Sequence, residues 1–111
     1  MSGADEADRA GDALEDDEWP PPAARVQSAI WRAEGHLERS EYSQAARTLA
    51  EGFGLGGDED LLRGLHHLAA AGWRIQEGQP ERARRQLEHA RRRLGRRRPR
   101  LVALVARRLG S

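Results

Sequence analysis

From about residue 23 onward, apolar residues recur three and four positions apart, the spacing of one face of an α-helix. Val26, Ile30, Ala33 and Leu37 form a first stripe and predict a helix over roughly 23–39. Tyr42, Ala45, Leu49 and Phe53 predict a second, near 41–52, with Ser40 placed as its N-cap. Leu61, Leu65, Leu68, Gly72 and Ile75 make a third stripe, and Leu62, Ala69 and Trp73 run beside it. Two adjacent apolar stripes flanked by small alanines mark this helix as the central, most buried one. Ala83, Leu87, Ala90 and Leu94 give the inner face of a fourth helix, and Leu101, Leu104, Val105 and Leu109 that of a short fifth.

The breaks between these stripes fit helix ends. Four glycines among residues 52–57 close the second helix in a flexible turn, and Asp58, Glu59 and Asp60 place negative charge where the next helix dipole favours it. Gly78 suits a helix stop, Pro80 a first helical turn, and Gly95 with Pro99 a second break. Gly35 lies inside the first helix, at a cost of about 1 kcal/mol relative to Ala, and is read as letting another helix approach closely. Ser40-Glu41-Tyr42 with Ala45 and Leu49 is echoed 38 positions on by Gly78-Gln79-Pro80 with Ala83 and Leu87. A turn, a small residue and then Leu is the pattern of a tetratricopeptide-like helical hairpin. The expected fold is all-α: a compact bundle of about five helices, built from two such hairpins plus a short C-terminal helix.

Charge divides the chain more sharply than hydropathy does. The net charge is +1, yet residues 1–18 carry −7, residues 19–81 carry −3 and residues 82–108 carry +11. Residues 1–22 are therefore read as an acidic disordered tail ending in a stiff linker, Trp19 followed by three prolines, with residues 23–111 as the helical domain. Trp19 is a candidate to dock on that domain. The absence of Cys excludes thiolate chemistry and disulfides. The wholly apolar runs are far shorter than the roughly 20 residues of a membrane span. Together with an acidic start unlike a secretory signal, this points to a cytoplasmic protein with no membrane partner.

The run Leu61-Leu62-Arg63-Gly64-Leu65, then Leu68-Ala69-Ala70-Ala71, Gly78, Ala83, Leu87-Glu88 and Ala90 resembles the core of a small all-helical prokaryotic family, domain of unknown function 309. The resemblance covers about 30–94 and is most specific in the third and fourth helices. That family carries an HxxxExxW motif on its second helix. Aligned through Tyr42, its His falls on Ala46, its Glu on Ala50 and its Trp on Phe53, while two glutamines of the next helix fall on Arg63 and His67. The resemblance therefore implies a degenerate member: Ala can neither ligate a metal nor move a proton.

Function is less legible than fold. No phosphate-binding glycine loop, nucleophile elbow or zinc-protease motif is present. His66 and His67 are adjacent and so point about 100° apart on a helix, poor geometry for one metal. No metal site, cofactor or catalytic residue is expected. All 19 basic residues are Arg. Arg82, Arg85, Arg92 and Arg96 fall near one helical line, followed by Arg97 and Arg98. The first expectation is a non-catalytic protein-interaction or adaptor module with an unidentified protein partner. The alternative is an Arg-mediated nucleic-acid binder using phosphate contacts. A fainter alternative is a metal-dependent or acid/base enzyme pairing His67 with Glu38 or Glu41. The acidic tail is also a candidate to mask the Arg face.

Overall fold

The computed structural model describes residues 19–110. Among them are five helices and no strand: α1 Pro22–Glu38, α2 Tyr42–Ala50, α3 Glu59–Gln76, α4 Pro80–Leu94 and α5 Pro99–Arg108. The acidic tail, and with it most of the expected first segment, lies outside the described residues. Trp19, just inside them, is 75% exposed and does not dock on the body.

The turns explain why α1 and α3 stop where they do. At the end of α1 the Glu41 amide donates to the His36 carbonyl (2.8 Å) and the Ser40 amide to the Leu37 carbonyl (3.1 Å). At the end of α3 the Gln79 amide donates to Arg74 (2.9 Å) and the Gly78 amide to Ile75 (3.0 Å). Both are the Schellman arrangement, which satisfies the last carbonyls of a helix and requires a left-handed residue just past it. Gly78 supplies that conformation at φ 71°, and Ser40 adopts it at φ 64°. Ser40 therefore closes α1 rather than capping α2, where no side-chain cap is made. The 38-residue echo is thus a repeated turn, carried down to individual hydrogen bonds. Pro80 follows at the first position of α4, where its missing N–H costs nothing.

Asp58 does cap α3, accepting from the Leu61 amide at 3.1 Å. That helix is the centre of the core, with Leu61, Leu62, Leu65, Leu68, Ala69 and Ala71 all buried. Each buried Leu contributes about 1.5–3 kcal/mol through removal from water. Helices α3 and α4 form an antiparallel pair: Arg74 meets Gln79, His67 meets Gln86 and Arg93 meets Asp60 along its length. Although α4 is rich in Arg, it stays helical because Ala83, Leu87, Ala90 and Leu94 seal against the core. The Arg91–Arg93 run also sits in its last turn, where cations favour the dipole. Helix α5 packs on α1, α3 and α4 and closes the array through Leu101 and Val105.

Close approach falls on other glycines than expected. A Cβ on Gly35 would meet only the Arg39 side chain, at 3.3 Å, so no neighbouring helix explains that glycine. The close contacts are at Gly64, where a Cβ would stand 2.6 Å from Leu94, and at Gly72, where it would fall on the Tyr42 ring. Gly57 likewise packs on Val26, at 2.8 Å by the same measure, so the glycine turn is in part a packed one. Gly72→Ala is expected to lower stability by about 2 kcal/mol through overpacking, while Gly35→Ala raises it by about 0.5–1 kcal/mol as a helix-interior glycine replaced. Urea unfolding followed by far-ultraviolet circular dichroism separates the two, and equal effects would contradict this packing.

Candidate functional site

Each histidine is committed to a local contact or set at the edge of one. His36 donates from Nδ1 to the Glu41 carboxylate at 2.7 Å, and Arg39 adds a second bond to it at 3.1 Å. The hydrogen bond from His36 is the main reason that the Glu41 carboxyl titrates below its ordinary range. An imidazole oriented by a carboxylate is half of a general-base arrangement. At the equivalent place in the second turn, however, Arg74 donates to the Gln79 side-chain oxygen at 2.7 Å. Residues 36 and 41 thus do what residues 74 and 79 do: they latch a turn shut.

His67 does not meet Glu38 or Glu41. Its Nδ1 donates to the Gln86 amide oxygen at 2.8 Å across the α3–α4 seam, and its ring lies 5.1 Å from that of His89. The expected His67–carboxylate pair is therefore not formed; His36, on α1, takes Glu41 instead. His66 points the other way, edge-on to Phe53 at 5.3 Å, and the Arg63 guanidinium covers the Phe53 ring at 4.3 Å. Among the described residues no three His, Cys, Asp or Glu side chains converge as metal ligands would.

The positions aligned with the family motif come together only in part. Phe53 and Arg63 touch, Ala46 is half-buried against the core, Ala50 is exposed, and the polar contact of His67 is with α4.

The Arg cluster divides into two sets. Arg97 pairs with Asp58 and Arg98 with Glu34, so these two candidates are partly withdrawn into the body. The strong capping bond from Leu61, followed by the bond from Arg97, holds the Asp58 carboxyl below its ordinary range. Arg93 pairs with Asp60 and Arg84 with Glu81. By contrast Arg82, Arg85, Arg92, Arg96 and Arg100 are exposed and make no ion pair with any described residue. Arg85 and Arg92 lie opposite the buried Ala83–Leu87–Ala90–Leu94 seam of α4, which is why the fold leaves them open, and Arg96 follows in the turn.

One surface feature escaped the sequence reading. Trp31 is 76% exposed in the middle of α1. With Gly35 one turn later it borders an open hollow of about 470 Å³. A larger one of about 580 Å³ lies between α1 and α5, floored by Leu101 and Leu104 and edged by Glu34, Glu38, Arg100 and Arg107. The signal was in the chain: position 31 lies about 100° from the Ile30 stripe, on the polar side of the helix with Ser28 and Gly35. Both hollows are open grooves lined by charged side chains.

No family model, curated protein or solved structure matches the chain. Among the described residues no helix is long and apolar enough to cross a membrane.

Acid should loosen the Phe53 corner. Burial, reinforced by His67 and Arg63, lowers the His66 pKa from its ordinary 6.5. The unfolded chain therefore takes up this proton first, and stability rises with pH up to about 6.5 and falls as pH drops toward the depressed folded value. His66→Gln should flatten the decline in the urea midpoint between about pH 7 and 5. An unchanged decline would mean that other groups cause it.

Proposed function

We propose that the protein is a non-catalytic binding module, a small cytoplasmic adaptor that works from its surface. The observation that carries this reading is Trp31: a large indole, 76% exposed, set mid-helix beside a glycine that no internal packing explains. Single exposed apolar residues are common, but Trp is the side chain most enriched where binding energy concentrates. A notch one turn away suits the side chains of a partner protein's helix or extended segment. The engagement of His36 and His67 within the fold leaves the acid/base and metal readings without a supporting arrangement among the described residues.

A second reading is favoured by the open arginines. Arg82, Arg85, Arg92 and Arg96 present guanidinium groups that hold no carboxylate among the described residues, which suits the phosphates of a nucleic acid. Base stacking is not part of this reading, since the Arg74 guanidinium lies 4.8 Å from the centre of the Trp73 ring. We further infer kinship with domain-of-unknown-function family 309, as a degenerate member without the motif His and Glu. The Leu61–Ala71 run facing Ala83, Leu87 and Ala90 supports it.

Purification of the full chain from its native cells, read for protein and nucleic acid together, tests these readings. A protein partner retained by the natural chain and lost from Trp31→Ala is the expected result. Nucleic acid retained at low salt and lost from the Arg85→Gln/Arg92→Gln/Arg96→Gln variant would favour the second reading. Partners identical in all three chains would overturn both.

A further inference from the structure

The start of α1 and the Arg-rich α4–α5 turn lie at one end of the described body. Ala23, at the start of α1, shares a hollow of about 190 Å³ with Val26 and Arg98, so α1 begins beside the α4–α5 turn. Arg25 binds the Pro20 carbonyl at 3.2 Å and holds the preceding segment to the helix. The chain before residue 19 therefore joins the body next to Arg96, Arg97, Arg98 and Arg100. Its last four residues before Trp19 are Glu15, Asp16, Asp17 and Glu18, and Asp12, Asp8, Glu6 and Asp5 precede them. An extended chain covers at most ~3.6 Å per residue, which keeps Glu18 within about 18 Å of Ala23. Arg92 lies in the last turn of α4, Arg96 in the turn that follows and Arg100 in the first turn of α5. The acidic run is thus tethered within reach of the turn, at an effective concentration on the order of millimolar.

Arg97 and Arg98 already hold carboxylates, but Arg92, Arg96 and Arg100 are exposed and hold none among the described residues. We propose that residues 5–18 dock in cis on Arg92, Arg96 and Arg100, the open arginines that border the α4–α5 turn, and compete there with polyanions. The competition rests on the reading of the Arg stripe as a phosphate-binding face; the docking rests on charge and tether alone. Each exposed pair is weak and screened within a Debye length of about 10 Å at 0.1 M salt. The contact is therefore many-membered, without fixed partners, and dissolved by salt, so a competitor with more closely spaced charges displaces it.

The natural chain has no Cys, so Ala10→Cys gives the full-length protein a unique site for a nitroxide label. Paramagnetic broadening of the Arg Nε–H signals at low salt should concentrate on Arg92, Arg96 and Arg100. It should vanish at 0.5 M NaCl (about a 4 Å Debye length) and in a full-length variant with the eight acids of residues 5–18 changed to Asn or Gln. Broadening spread evenly to Arg32 and Arg47, or none at all, would overturn the docking. So would broadening of isotope-labelled chains by nitroxide on other copies, which would make the contact one between molecules. In parallel, a fluorescein-labelled single-stranded DNA should bind the neutralised variant severalfold more tightly than the natural chain at low salt, a gap that closes as salt rises. Broadening without DNA binding by either protein would remove the phosphate-binding reading and leave the docking standing. DNA binding equal in both, without broadening, would do the reverse.

Discussion

The fold depends on how closely α3 lets its neighbours approach. At Gly64 and Gly72 the helix has no side chain, and Leu94 of α4 and the ring of Tyr42 at the start of α2 lie where a Cβ would stand. With those two contacts made, Leu62, Leu65 and Leu68 are enclosed between elements that contain little large apolar bulk of their own. Tyr42 then reaches the far end of the chain, where its hydroxyl accepts from Arg108 at 3.1 Å. A nine-residue helix such as α2 is too short to persist alone; its order comes from this seat. Because α4 buries only two leucines and two alanines, it depends on the same closeness at Gly64.

Around that centre the chain uses one local solution twice. Ser40 and Gly78 take the left-handed position after α1 and α3, and the residues two before and three after each helix end join through their side chains. The Gln76 side-chain Nε2 donates to the Ser40 carbonyl at 3.2 Å, which ties the two turns together. The more polar version of the latch, His36 with Glu41, resembles a catalytic pair when seen alone. Its counterpart, Arg74 with Gln79, shows what the geometry is for.

What the sequence made legible follows from how local each cause is. Apolar spacing marks a helix within ten or so residues, so all five helices were read with ends displaced by only a few positions. Gly78 and Pro80 were read correctly because their backbone constraints are intrinsic. Ser40 was misread because its side chain suits a cap, while its backbone is set by the turn it closes. Gly35, Gly64 and Gly72 look alike in one dimension; only the packed structure shows which faces another element. The pairings of Arg97 with Asp58 and Arg98 with Glu34 span 39 and 64 positions, and nothing local foretells them. Trp31 is legible from its position off the Ile30 stripe, but apolar spacing marks only the buried face and carries no sign of which outward side chain binds.

All three indoles lie at the surface: Trp19 and Trp31 are 75% and 76% exposed, and Trp73 is 38% exposed. Trp19 and Trp31 should then emit near the wavelength of tryptophan in water, and unfolding should change chiefly the part contributed by Trp73. A blue shift on adding a binding partner would accordingly report the covering of Trp19 or Trp31.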